Sequence, residues 1–401
     1  MSAVGRSGGA VALPLEAHLA ALASLRDVGP ARLRWLLAHG TPAHVWGELR
    51  SGRLGAVGPV GPLPGRSADD PNGRQQVEAW CRQSHEIDPR EIWRRCEHHG
   101  IGVVALGSAA YPVALAQDPD PPTVVFHLGD PDRLVHPRVA IVGTRRATGY
   151  GLRTARQLGQ ELAAAGVSVV SGLALGVDAA AHQGALLAGG APAVAVVAAG
   201  LDAPCPVRNR ALAHDVARTG LVLSELPPGV AASPWRFPVR NRIIAALAHA
   251  VVVVESAGAG GSMHTVREAM DRDRPVLAVP GPIDSRASEG TNELISDGAL
   301  VCGGVADVLA AIGHVGPREP GSSVDARPED LRPVPTGEAA AVLEGLSWRP
   351  ATVEQLAARA GLDFGAVTAA LGVLERDGWV RHSSGWVERV ARVPGVGGGT
   401  A

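Results

Sequence analysis

Apolar residues recur at helical spacing over residues 15 to 50, at Leu19, Leu22 and Leu25 and again at Leu33, Leu36 and Leu37. The repeat breaks at Val28-Gly29-Pro30, as a tight turn between helices would break it. This pattern predicts a small helical domain over 12–55. Residues 56–75 are rich in Gly and Pro, carry Asp69-Asp70 and read as a flexible insertion. A helix with Val77, Trp80, Ile92 and Trp93 then leads to a short strand, Gly102 to Leu106, and a Pro-rich stretch ending near Pro137.

Beyond Pro137, short β-rich runs alternate with amphipathic helices: Val139 to Val142, Ser168 to Val170, Ala193 to Ala198, Leu221 to Leu223, Ala250 to Val254 and Val276 to Val279. Such alternation specifies an α/β fold, a parallel Rossmann-like sheet covered on both faces, within a domain over 76–312. Residues 313–335 lack periodicity and read as a linker. A separate domain over 336–392 follows, with a helix near Glu338 to Leu346, a second opened by Thr352 with Gln355 in capping-box register, and a third from Asp363 to Asp377. Two strands around Trp379 to His382 and Trp386 to Arg389, joined by Ser383-Ser384-Gly385, complete a winged-helix pattern. Its third helix has Arg376 as its lone basic residue, so protein contact and DNA reading are both open. Residues 393–401 read as a disordered tail.

Charge changes the picture only locally. All 37 basic residues are arginine, and the formal net charge of -2 gives no global attraction to a polyanion. Any polyanion site must be a patch. Cys81, Cys96, Cys205 and Cys302 show neither zinc-ligand nor redox spacing, which predicts a reducing compartment and no metal. The longest apolar runs, near Val194 and Val251, are too short to span a bilayer, and no secretory signal is evident at the N-terminus. A cytoplasmic protein without membrane partner is expected.

In an open parallel sheet, ligands sit at the carboxyl ends of the strands. The first of these ends in Gly143-Thr144-Arg145-Arg146-Ala-Thr-Gly-Tyr-Gly151, a glycine turn that lets backbone approach an anion and adds two guanidinium groups. It differs from a G-x-G-x-x-G fingerprint, and without lysine there is no Walker motif, so the usual dinucleotide and ATP cofactors are disfavoured. The next strand ends in Ser171-Gly172-Leu-Ala-Leu-Gly176, with Asp178 placed to cap the following helix. Arg208-Asn209-Arg210 and Arg240-Asn241-Arg242 each follow a proline at a helix start, and guanidinium forks with an Asn amide can hold phosphate oxygens and a base edge. Phe237 lies where its ring could stack on an unpaired base or staple the core. Gly261-Ser262 belongs to a glycine-rich run that can form an amide nest for phosphate. No nucleophile has a recognisable His and acid partner, His264 reads as packing or capping, and no catalytic residue is assigned.

Taken in order, Val139-Ala-Ile-Val-Gly-Thr-Arg145, Ser171-Gly-Leu-Ala, Ser224-Glu-Leu-Pro-Pro-Gly229, Phe237-Pro-Val-Arg-Asn-Arg-Ile-Ile244, Gly261-Ser-Met-His-Thr265, Val279-Pro-Gly281 and Ser288-Glu-Gly-Thr-Asn292 resemble the DNA-processing protein A family (DprA, also called Smf). The resemblance covers about residues 102 to 305. The N-terminal region is similar to a SAM or helix-hairpin-helix domain, and with the winged helix it matches domains that accompany this core. The resemblance implies a homodimeric, non-catalytic protein that coats incoming single-stranded DNA, protects it and loads a RecA-type recombinase in natural transformation. Gly143 to Arg146, Gly172, Asn209, Arg210, Phe237, Arg240 to Arg242, Gly261 and Ser262 would line or support the DNA groove, with Ser288 to Leu300 near the dimer contact. Leu175 stands where members often carry a basic residue, Cys205 replaces a common aromatic, and the Gly260 region lacks a basic residue some members have.

Two other readings remain open. Phosphoribohydrolases acting on nucleoside monophosphates also use a glycine loop with a downstream Thr and Glu, and Thr265 and Glu268 hold that spacing. A nucleotide sensor that signals through its winged helix is the other.

Overall fold

The computed structural model describes residues 13–55, 57–58, 61–65, 70–203, 206–258, 260–313, 332–346, 351–383 and 385–390, in two compact units, Met1–Pro317 and Arg318–Ala401. The predicted linker, tail and Cys205 lie largely or wholly outside the described residues.

Proline and short polar caps set the N-terminal helices. α1 (Leu15–Ala23), α2 (Pro30–Leu37) and α3 (Pro42–Ser51) follow the predicted spacing, with proline in the first turn of α2 and α3, where a missing N–H costs nothing. A small hairpin pairs β1 (Val57–Gly58) with β2 (Gly61–Pro62). The single helix expected across Val77 to Trp93 is two, α4 (Pro71–Glu86) and α5 (Pro89–His98), because Asp88 caps the second and Pro89 cannot continue the first. Asp70 and Pro71 start α4 inside the segment read as flexible. Leu19, Leu22, Leu36 and Trp80 share one apolar core with Val139 and Ile141 of the sheet. The N-terminal helices are thus continuous with the central unit.

That unit is built on nine strands in the order β11-β10-β9-β5-β6-β7-β8-β4-β3. In chain order they are β3 (Gly102–Ala105), β4 (Val124–Gly129), β5 (Arg138–Val142), β6 (Ser168–Ser171), β7 (Val194–Val197), β8 (Leu221–Ser224), β9 (Ala250–Val253), β10 (Val276–Ala278) and β11 (Leu300–Val301). Between them run α6 (Val113–Ala116), α7 (Gly149–Ala164), α8 (Val177–Ala188), α9 (Arg210–Thr219), α10 (Arg236–Leu247), α11 (Ser262–Met270) and α12 (Glu289–Ser296), with α13 (Val305–Ala311) after the last strand. Every predicted strand is present. The expectation of a wholly parallel sheet is corrected at one edge, where β4 runs antiparallel to both β8 and β3. β4 lies in the stretch read only as Pro-rich. Its Val124, Val125 and Phe126 are all buried, so no alternation marked it, and antiparallel neighbours need no long crossover helix.

The second unit holds α14 (Gly337–Gly345), α15 (Val353–Ala360), α16 (Phe364–Arg376) and the antiparallel pair β12 (Val380–Ser383) and β13 (Trp386–Arg389). Its winged-helix pattern is as predicted, including the capping box in which Thr352 accepts from the Gln355 amide while the Gln355 side chain accepts from the Thr352 amide. Val342, Leu356, Leu371, Leu374 and Val387 form its core. Among the described residues no single helix is long and apolar enough to cross a membrane.

Candidate nucleic-acid interface

β5, β6, β7 and β8 step outward in one direction, and β9 then returns to the other side of β5. This reversal opens a crevice at the carboxyl ends of β5 and β9, the place where an open α/β sheet receives ligands. The Gly143 to Thr148 loop forms one wall and the segment from Glu255 to Ser262 the other.

The two walls are tied together by Glu255, whose role the sequence reading missed. Its backbone oxygen accepts from the Thr144 amide at 2.7 Å, and its buried carboxylate accepts from the Thr148 amide at 2.9 Å and the Thr148 hydroxyl at 2.5 Å. Thr148 also caps α7 by accepting from the Gly151 amide. A side chain at Gly143 would collide with Val177 and with the Glu255 carbonyl, which is why glycine stands there. Glu255→Ala would strand the Thr148 donors, so we expect it to cost about 1–3 kcal/mol of stability by denaturant titration.

A second layer of buried polar contacts shapes the β6 end. Asp178 does not cap α8 as expected; Gly176 is the N-cap, and the Asp178 carboxylate turns back to accept from the Gly172 and Ala174 amides at 3.0 and 3.4 Å. Burial pushes its carboxyl up, against the opposing pull of Arg240 and these amides. The Asn209 amide donates to the Leu173 and Ala174 carbonyls at 2.8 and 3.1 Å. Between these clamps Leu173 is held at a φ of 53°, a left-handed conformation that costs a side-chain-bearing residue about 1–3 kcal/mol.

The two Arg-Asn-Arg triplets differ in environment. Arg208 and Arg210 are exposed where α9 begins. Arg240, Asn241 and Arg242 lie inside α10, not at its start, and all three are buried. The Arg240 guanidinium donates to the Gly172 carbonyl at 2.9 Å and to the Val196 carbonyl, and burial lowers it to about 10, which leaves it charged at neutral pH. Arg242 donates from Nη2 to both Glu225 carboxylate oxygens at 2.7 Å, and its Nε reaches Asp120 at 3.3 Å. Asn241 leans toward the Gly261 carbonyl at 3.5 Å. The expectation that this triplet presents its forks to a ligand is therefore revised: helix packing turns it inward, where it supports the loops that the ligand would meet.

What remains open to solvent is compact. Arg145 and Arg146 are exposed on the β5 loop, and the Arg145 guanidinium lies 4.4 Å from the centroid of the half-buried Phe237 ring. Gly143 and Thr144 are half-buried below them. Across the crevice Gly261 is exposed at the α11 N-terminus, while Ser262 is buried and its hydroxyl donates to the Ser256 hydroxyl at 2.8 Å. Gly172 is buried against Arg240. His264, expected to pack or cap, is exposed. Among the described residues no His, Cys, Asp and Glu group could hold a metal ion.

A mostly parallel Rossmann-like sheet with this switch-point site, together with a winged helix, defines the class. Residues 102–313 match the family described as DNA recombination-mediator protein A, and residues 326–385 match the DprA winged helix domain. The chain belongs to the DNA recombination-mediator protein A family. It is 31% identical over 407 residues to Protein Smf of Synechocystis, covering 92% of this chain and 97% of that protein. It is 41% identical over 264 residues to the putative DNA processing protein DprA of Mycobacterium tuberculosis, which spans 63% of this chain and only 65% of the relative. The solved DNA processing protein A of Streptococcus pneumoniae superposes with a TM-score of 0.60 at 30% identity, over 74% of this chain and 96% of that one.

Proposed function

We propose that this recombination mediator binds single-stranded DNA along the carboxyl edge of its sheet, protects it and hands it to a RecA-type recombinase, acting as a homodimer in natural transformation. One observation carries the reading: exposed Arg145 is stacked on Phe237 at the lip of the switch-point crevice, so a charge for phosphate and a ring for an unpaired base stand side by side. The α11 N-terminus across the crevice, with exposed Arg146, Arg208 and Arg210, extends the polar edge past what one phosphate needs. A strand of several nucleotides fits such an edge better than a free nucleotide.

For the dimer, β11 closes the sheet with Leu300 and Val301 half-exposed, and Ile283 stands almost fully in solvent nearby in sequence. An apolar edge strand favours a second copy as its cover. The phosphoribohydrolase reading is weakened because Glu268, its candidate acid, is bonded to Arg272 at 2.6 Å, and Arg272 also holds Asp118 at 2.7 Å.

Titration with oligonucleotides of increasing length tests the proposal. Affinity is expected to rise with length, to fall steeply with salt and to prefer single strands over duplex. Arg145→Ala should weaken binding about tenfold for every sequence and leave the thermal transition in place. Equal binding of single strands and duplex, with Arg145→Ala unchanged, defeats the reading, as does Glu268-dependent release of base from nucleoside monophosphates.

A further inference from the structure

A cavity of about 710 Å³ lies between the N-terminal helices and the same edge of the sheet, a volume suited to a nucleotide. One wall is the chain from Ala23 to Leu33, the turn that leads into α2. The facing wall comes from the β7 and β8 ends and from the start of α10, including Trp235, Arg236 and Arg240.

Three features of the lining point to a ligand that is both aromatic and anionic. Trp235 is 63% exposed, an unusual position for so large a ring, and it lines the space with the Arg236 guanidinium 5.0 Å from its ring centroid. Arg26, Arg32 and Arg236 line the walls, against two carboxylates, Asp27 and Glu225. Glu225 is already neutralised by Arg242, so the cavity has an excess of positive charge. α2 begins at Gly29 with no side-chain cap, which leaves the positive end of the helix toward the same space.

The cavity also adjoins the switch-point crevice through one turn of α10. Phe237 faces Arg145 on the crevice side, Trp235 lines the cavity two residues earlier, and the Arg240 that borders the cavity holds Gly172 with its guanidinium. A strand stacked on Phe237 has its next aromatic platform around that turn.

We infer that the cavity receives a further nucleotide of the bound strand, its base on Trp235 and its phosphate among Arg26, Arg32 and Arg236, which makes the N-terminal helices part of the DNA site. This rests on the proposal that the crevice binds single-stranded DNA. Full-length protein bound to an oligothymidylate longer than about 16 nucleotides, with photoreactive thymine analogues, tests it by mapping crosslinks and measuring affinity. Adducts are expected at Trp235 as well as at Phe237. Trp235→Ala should weaken binding about tenfold, Trp235→Phe should restore most of it, and R26E with R32E should lower the salt slope by about 1, as loss of one phosphate contact does. Absence of a Trp235 adduct, with Trp235→Ala binding as wild type while Arg145→Ala binds weakly, overturns this inference and leaves the crevice standing. If Arg145→Ala also binds as wild type, the underlying proposal fails with it.

Discussion

Arg242→Ala is expected to lower the stability of the Met1–Pro317 unit by about 3–5 kcal/mol, a large share of the 5–15 kcal/mol that holds a typical domain folded. The reason is the company Arg242 keeps. Its side chain is 8% exposed and Glu225 is 14% exposed, so alanine would strand a carboxylate that burial already pushes up and that Arg242 pulls down. Arg242 also donates to the Asp120 carbonyl at 2.9 Å, and Asp120 is in turn paired with Arg34 of α2 at 3.0 Å. The network joins α10 to the end of β8 and to the N-terminal helices, so its loss loosens three elements at once. Denaturant titration should show a lower midpoint. Replacing both partners, R242M with E225L, should recover much of the loss, because the unpaired buried charge disappears with its partner. A variant as stable as the wild type but unable to bind DNA would instead make Arg242 a direct contact.

That contrast marks the boundary of what the sequence made legible. The six strands of the central repeat were readable because buried parallel strands are continuous apolar runs, and the winged helix because its capping box and turn have local signatures. β4 was not, since a strand buried on both faces after Pro121-Pro122 shows neither alternation nor a clean start. The Gly143 loop could be placed at the carboxyl end of its strand because glycine and arginine after an apolar run are a local signal. The roles of Arg240 and Arg242 were not, because an arginine bound to a carbonyl and one bound to a phosphate look alike in one dimension; helix phase decides, and α10 turns both inward. Glu255 followed an apolar run and carried no signal of its own, yet it joins the two walls of the crevice. Asp178 had the position of a cap and serves the loop behind it.

The same inward packing predicts an acid sensitivity centred on His182. It is fully buried on α8, and burial lowers it to about 4, with the Arg240 charge adding to the effect and the Ser171 backbone opposing it. An unfolded histidine titrates near 6.5, so between about pH 6.5 and pH 4 the unfolded chain binds a proton that the folded chain refuses. Stability contributed by neutral His182 is therefore complete above pH 6.5 and is lost as the pH falls, by about 3 kcal/mol on reaching pH 4. Asp178 and Glu225 act in the opposite sense, because burial raises both and a raised carboxyl favours the folded state as it takes up a proton. The comparison must isolate the imidazole: the stability difference between wild type and His182→Leu should shift by about 3 kcal/mol between pH 7 and pH 4. A difference that stays constant over this range would mean that His182 keeps its ordinary affinity for protons. Because Asp178, in the first turn of α8, holds the Gly172 to Ala174 turn, protonation should open the site locally before the unit unfolds, and acid should weaken the proposed DNA binding at the crevice earlier in wild type than in His182→Leu.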